Sequence, residues 1–237
     1  MISIVMPAHN EQGYLEPAVK SVVAGLRDRG LDFELLIAEN GSTDGTGEET
    51  EHLARTYREV RSLRASVPDY GRALRAGFLA AEGDIVVNFD VDFVDLRFLD
   101  RALDLMASGD AAVVVGSKRS PGSDDQRGLG RKTVTAVFSL VLRYGFGLEV
   151  SDTHGLKALR RKPLLPLVEA CRFGGDIFDT ELILRAERDG LTVQEVPVAV
   201  SDQRPPRTSI ARRIPRSLLG LIRLRLALGH SDLAGRG

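Results

Sequence analysis

The sequence has one cysteine in 237 residues, Cys171. That excludes an internal disulfide and any zinc site built from several thiolates. With apolar residues around it, Cys171 reads as a buried structural thiol. Lysine is scarce, at positions 20, 118, 132, 157 and 162 only, and arginine carries the rest of the positive charge. Neither sign dominates: the formal net charge is -1, which argues against a protein that binds nucleic acid or another polyanion over its whole surface. No apolar run reaches the roughly 18 residues of a membrane span. Val134 to Leu142 stops at Arg143, and Leu218 to Leu228 is broken by Arg223 and Arg225. The opening run, Ile2 to Ala8, is too short for a secretory signal and lacks its basic lead. Two nucleotide signatures are also missing. There is no Gly-x-x-x-x-Gly-Lys loop, and no Gly-x-Gly-x-x-Gly follows the first strand, which weighs against ATP- and NAD-type sites.

What is present is a globular balance, 43% hydrophobic and 27% charged, in a chain long enough to bury a core without staples. Ile2–Met6 reads as a buried strand ended by Pro7, followed by a helix from Leu15 with apolar residues at Val19, Val22, Val23 and Leu26. Strands follow at Phe33–Ala38, Val60–Leu63, Ile85–Phe89 and Ala111–Val115. Helices fall between them at about 46–58, 73–81 and 96–106. This alternation implies βαβ units and a mostly parallel sheet, with the loops after the strands along one edge. Beyond Gly116 the pattern changes: a polar, glycine-rich loop over 117–130, a helix over 131–144, a strand near 155–159, a helix over 178–188 and a strand over 192–200. This half reads as an addition to the first sheet. The expected organisation is a catalytic domain over 1–208, divided at 116/117, and a basic amphipathic tail over 209–237.

Three polar clusters fall at strand ends: Pro7-Ala8-His9-Asn10-Glu11, Glu39-Asn40-Gly41-Ser42-Thr43-Asp44-Gly45-Thr46, and Asp90-Val91-Asp92. In a parallel sheet all three share one edge, where open α/β sheets bind ligands. Asp90 and Asp92 flank one residue, and in an extended segment alternate side chains point the same way. Two such carboxylates suit a hard divalent cation, Mg²⁺ or Mn²⁺, that neutralises a diphosphate leaving group. The competing reading of Asp-x-Asp is a solvated loop, and that of the Asn-Gly-Ser-Thr-Asp-Gly segment is a turn with a helix cap.

In order and spacing these blocks, with Gly71-Arg72-Ala73, Gly77 and Gly83-Asp84, resemble the inverting glycosyltransferase family 2. The second half resembles its polyprenyl-phosphate (dolichyl-phosphate) mannose or glucose synthase branch, through Gly116-Ser117-Lys118-Arg119, Asp152-Thr153-His154-Gly155-Leu156-Lys157, Phe178-Asp179-Thr180-Glu181-Leu182 and Glu195-Val196-Pro197-Val198. The resemblance implies a GT-A fold, a central sheet flanked by helices, a nucleotide-diphospho sugar donor and a divalent metal. It implies that Pro7, His9, Glu11, Glu39, Asp90 and Val91 contact the nucleotide sugar. It gives Asp90 and Asp92 the metal, with Asp92 and Asp152 at the reaction centre. Lys118, Arg131 and Arg204 match positions that bind donor or acceptor phosphate. The chain departs from the pattern at His9, where tyrosine is usual, and at Glu39, Val94, His154 and Leu156.

Chemistry separates the acceptors. A sugar hydroxyl needs a general base, for which Asp152 is the candidate. A phosphate, with its second ionisation near ~6, is largely dianionic already and needs cations to hold it. The basic residues Lys118, Arg119, Arg127, Arg131, Lys132 and Arg204 meet that need, against the alternative of a solvated basic loop. Asp179 and Glu181 are weaker candidates, read otherwise as buried ion pairs, and His154 reads as an ordinary loop histidine. In the tail, Arg212, Arg216 and Arg223 share one side of a helical wheel, with Leu218, Leu221, Ile222 and Leu228 opposite, a pattern suited to an anionic membrane surface or to packing on the domain. The leading expectation is a transferase that moves a hexose from a GDP- or UDP-sugar to a polyprenyl phosphate at the cytoplasmic membrane face. The rivals are transfer to a soluble hydroxyl acceptor and a non-catalytic nucleotide-sugar-binding protein.

Overall fold

The computed structural model describes residues 1–118, 123–125, 129–148, 150, 152–200 and 219–227. The elements run β1 (Ile2–Ala8), α1 (Leu15–Asp28), β2 (Phe33–Asn40), α2 (Thr46–Thr56), β3 (Val60–Ala65), α3 (Tyr70–Ala80), β4 (Ile85–Asn88), α4 (Leu96–Ala107), β5 (Val113–Ser117), β6 (Asp124–Asp125), α5 (Leu129–Phe146), β7 (Lys157–Arg160), α6 (Arg161–Ala170), α7 (Ile177–Arg188), β8 (Val193–Pro197) and β9 (Ala199–Val200). Seven strands form one sheet in the order β3-β2-β1-β4-β7-β5-β8, and β6 pairs with β9 apart from it. The expected α/β fold, a mostly parallel sheet flanked by helices, is what forms. β7 alone runs antiparallel, inserted between β4 and β5. The second half therefore completes the sheet of the first.

Alternation across the strands divides the core in two. Ile4, Met6, Leu35, Val87 and Val114 face α1 and α4 on one side. Val5, Leu36, Val86, Val113 and Val115 face α3, α6 and α7 on the other. Strands buried on both faces explain the unbroken apolar runs of the sequence.

Three expectations need correction. β1 continues through Pro7 to Ala8. The Val5 carbonyl accepts from Phe89 N on the β4 side; two residues on, Pro7 faces that same side after β4 has ended, so its missing N–H breaks no ladder bond. Residues 161–170, left without an element by the sequence pattern, form α6 despite the internal Pro166. The tail helix over 219–227 does not divide as the wheel implied. Leu221 and Leu224 are buried in the second core cluster, and Ile222 is exposed together with Leu219 and Leu226. Arg212, Arg216, Leu218 and Leu228 lie outside the described residues, as does half of the 117–130 loop. Among the described residues no helix is long and apolar enough to cross a membrane. Cys171 is a buried free thiol, pushed up to about 12 by burial and then by the nearby Glu181 carboxylate, and so inert at neutral pH.

Candidate active site

The first two polar clusters form one knitted surface. β1 and β2 run in parallel register, Ala8 opposite Glu39. Asn10 takes a left-handed conformation, φ 55°, which asparagine tolerates. Its backbone N–H donates to Ser42 Oγ at 3.0 Å and its Oδ1 accepts from Thr43 N at 2.8 Å. Glu11 N donates to Thr46 Oγ1 at 2.7 Å. Glu39 is buried, accepts from Ser42 N at 2.6 Å and pairs with Arg64 at 3.7 Å, so it shapes the turn that follows it. His9 Nδ1 donates to the Asn40 carbonyl at 2.8 Å, which fixes the proton on that nitrogen in the neutral ring. Asn40 Oδ1 in turn accepts from Asp69 N at 2.7 Å. Asp69 caps α3 and also accepts from Gly175 N at 2.7 Å, just ahead of α7.

The third cluster is a tight turn, not an extended segment. Phe93 N donates to Asp90 O at 3.0 Å, closing Asp90-Val91-Asp92-Phe93. Asp90 is half-buried, Val91 buried and Asp92 exposed. Tyr70 Oη donates to Asp90 Oδ1 at 3.3 Å. Burial, the like charge of Asp92 and that of Asp179 push the Asp90 carboxyl up to about 6, against the pull of Lys157 and Lys118. The turn therefore holds negative charge that this chain only partly offsets. Two carboxylate oxygen donors lacking countercharge fit a hard divalent cation. Among the described residues no cluster of three His, Cys, Asp or Glu ligands forms, so such an ion would take its remaining ligands from water and phosphate oxygens.

Asp152 stands across the edge from this turn. Its Oδ1 accepts from His154 N at 2.9 Å and its backbone N–H donates to Glu195 Oε1 at 3.1 Å. Its Oδ2 is buried with no hydrogen-bond partner among the described residues. Burial opposes ionisation, yet Lys118, His154 and Lys157 together hold the carboxyl below its ordinary value. β7 pairs antiparallel with β4, Lys157 opposite Asn88, so the segment leading from Asp152 into β7 arrives at the end of β4 that Asp90 follows. Lys118 acts electrostatically on both carboxyls.

Of the other expected site residues, Pro7, His9, Glu11 and Glu39 all come to this edge. Arg131 lies in the first turns of α5, with its side chain outside the described residues; Arg119, Arg127 and Arg204 lie wholly outside them. Three further groups have partners within the fold. His154 Nε2 bonds the Asp176 carbonyl at 2.7 Å. Glu181 is fully buried, takes Arg172 N and Phe173 N at 2.9 Å each, and pairs with Arg185 at 2.8 Å. Asp179 pairs with Lys157 at 3.2 Å. Sequence reasoning missed Tyr70 as a partner of Asp90, and Lys157 and Asn88 beneath the turn. Lys157 carried a signal: a charged residue inside an apolar strand.

A family model described as glycosyl transferase family 2 matches residues 3–166. The chain belongs to glycosyltransferase family 2. This member is 30% identical over 202 residues to glycosyltransferase AglD of Haloferax volcanii, covering 83% of this chain and 32% of that protein, so it spans about a third of that relative's length. An uncharacterised glycosyltransferase of Mycobacterium bovis is 30% identical over 223 residues, 93% of each chain. Among solved structures, the glucosyl-3-phosphoglycerate synthase of Mycobacterium tuberculosis, crystallised with Mn²⁺, UDP and phosphoglyceric acid, superposes with a TM-score of 0.69 at 24% identity, over 95% of this chain and 78% of that one. That likeness shows the fold shared by this family 2 member.

Proposed function

We propose that this chain is a divalent-metal-dependent, inverting hexosyltransferase that uses a nucleotide-diphospho sugar and an acceptor bearing a phosphate, of which a polyprenyl phosphate is the leading case. The observation that carries the acceptor class is Asp152. The carboxylate is buried, its Oδ2 has no hydrogen-bond partner among the described residues, and it lies within the influence of Lys118 and Lys157, cations that suit an acceptor which is itself an anion. A phosphate arrives ionised and needs only to be held in line. Its oxygen forms the bond to the anomeric carbon as the carbon–diphosphate bond breaks, and the nucleoside diphosphate leaves. In this reading Pro7, His9, Glu11 and Glu39 meet the nucleotide. Asp90 and Asp92 hold Mg²⁺ or Mn²⁺, which supplies neutralising charge to the leaving diphosphate when bound. Lys118, with Arg131 and Arg204, draws the two anions together.

A second reading is transfer to a soluble acceptor. It is favoured by the phosphoglyceric acid bound in the mycobacterial synthase of the same fold. The tail favours the lipid. Leu219, Ile222 and Leu226 are 54%, 61% and 60% exposed on one helix with Arg223 beside them, a face suited to the cytoplasmic membrane surface, while Arg225 lies over the Phe146 ring.

The test is release of nucleoside diphosphate from UDP- and GDP-sugars with Mn²⁺ or Mg²⁺, in the presence of a short polyprenyl phosphate, 3-phosphoglycerate or an oligosaccharide. Turnover that needs both metal and the lipid phosphate is the expected result. Turnover with phosphoglycerate alone selects the second reading, and turnover with the neutral oligosaccharide alone overturns the phosphate acceptor.

A further inference from the structure

A fully buried lysine lies beneath the candidate site. Lys157 opens β7 opposite Asn88 of β4 and Val115 of β5, and none of its surface reaches solvent. Its ammonium donates to the Gly155 carbonyl at 2.7 Å and pairs with Asp179 of α7 at 3.2 Å. Stability does not account for it. Removing two charges from water is costly, and apolar side chains of the same volume often serve a core as well or better. Nor does the pair complete a satisfied network. The Asn88 amide, two residues before Asp90 and buried, has no hydrogen-bond partner among the described residues.

What Lys157 does reach is the backbone of the Asp152 segment. Gly155 is where that segment enters β7, pressed so closely on Gly116 that a Cβ there would stand 2.0 Å from the Gly116 carbonyl oxygen. Gly116 N donates to Leu156 O at 2.8 Å on the other side of the same crossing. The segment is pinned elsewhere by Thr153 Oγ1 to Thr180 Oγ1, 2.9 Å, and by His154 to Asp176. Lys157 and Asp179 thus add an ionic tie where Thr180 and Asp176 add neutral ones, and all four join the Asp152 segment to the N-terminal turn of α7. Asp90 and Asp152 both feel the Lys157 charge.

We propose that Lys157, paired with Asp179, is a positioning residue for the transfer: it fixes the Asp152 segment beside the Asp90–Asp92 turn. The role in transfer rests on the function proposed above; the fixing of the segment does not.

The experiment compares wild type with Lys157→Arg and with the charge-free double variant Lys157→Met/Asp179→Leu, which leaves no unpaired buried charge. Three quantities are read: thermal melting, UDP affinity in the presence of Mn²⁺, and steady-state kinetics with the active donor. Hydrogen exchange over peptides spanning 150–157 is read in parallel. The double variant is expected to keep its fold and its UDP affinity within about threefold. Its kcat should fall about 100-fold with donor KM little changed, the size of loss that misplacing a reacting group brings, and exchange over 150–157 should quicken. Lys157→Arg should recover most of kcat. A folded double variant with wild-type kcat and unchanged exchange overturns the proposal. So does a Lys157→Arg protein that folds but is as slow as the double variant. If wild type turns over no nucleotide sugar, the functional reading fails, and the exchange comparison still decides whether Lys157 fixes the segment.

Discussion

At the scale of single residues, the acidic turn sets two outcomes. Asp92 is exposed and supports no packing, so Asp92→Asn should melt at the wild-type temperature while losing about 10³-fold or more in metal-dependent turnover, a loss comparable to deleting a main electrostatic stabiliser of a transition state. Nucleoside diphosphate release and a melting curve on one preparation check it. Asp90 should behave differently. Its folded pKa of about 6 lies above the ordinary carboxylate value of 3.8, so the folded protein binds the proton more tightly than the unfolded chain. Stability is then lost as pH rises through that window, and at pH 8 the ionised group costs on the order of 3 kcal/mol. Asp90→Asn keeps the acceptor for Tyr70 and removes the charge. Without metal at pH 8 it should melt higher than wild type, while binding Mn²⁺ far more weakly. The same proton competes with the metal. The wild-type Mn²⁺ dissociation constant, measured by calorimetry with UDP present, should be flat above pH 7 and rise about tenfold per unit below about 6. A Mn²⁺ affinity flat to pH 5 would place the cation away from Asp90.

At the scale of elements, the junction of α3 and α7 carries the site. Asp69 at the head of α3 ties Asn40 to Gly175, and Tyr70 follows it to reach Asp90. The helices meet at Gly71, where a Cβ would lie 2.6 Å from Phe178 Cβ and 2.7 Å from the Gly175 carbonyl oxygen. Gly71→Ala should therefore push the two helices apart and destabilise by about 2 kcal/mol, the usual cost of overpacking, seen as a lower urea midpoint at unchanged slope. Much of this level was legible beforehand. β1, β2 and β4 announced themselves as apolar runs closed by polar clusters, and their parallel pairing put those clusters on one edge. α6 was hidden because Pro163 and Pro166 argue against a helix, yet Pro163 stands in the first turn, where its missing N–H costs little. The direction of β7 was hidden because periodicity carries no strand polarity. The turn at Asp90–Phe93 was hidden because Asp-Val-Asp contains no glycine or proline to announce it. The Lys157–Asp179 pair joins residues 22 apart, and pairing at that range is set by packing that no local pattern encodes.

At the scale of the whole molecule, charge is balanced over the sequence, so any attraction to a membrane must come from one face. The tail helix shows how such a face arises. Its Leu221 and Leu224 anchor it to the core, and Gly220 lets it approach Ile177 closely. What remains outward is Leu219, Ile222 and Leu226, spaced three and four residues apart and thus in one stripe, with Arg223 beside them. Each such side chain loses apolar area from water on entering a bilayer interface, and the arginines add attraction to anionic headgroups that salt screens. If the acceptor is a lipid phosphate, both terms act together. The full chain should then co-sediment with vesicles containing phosphatidylglycerol, bind phosphatidylcholine vesicles much less, and be released as salt rises from 0.05 to about 0.5 M. Ile222→Glu/Leu226→Glu, which leaves Leu221 and Leu224 in the core, should abolish co-sedimentation without changing the melting temperature. It should also slow transfer to vesicle-bound polyprenyl phosphate while sparing transfer to the same acceptor dispersed in detergent. Equal rates on vesicles and in detergent for this variant would detach the stripe from acceptor delivery and move the weight to the soluble acceptor.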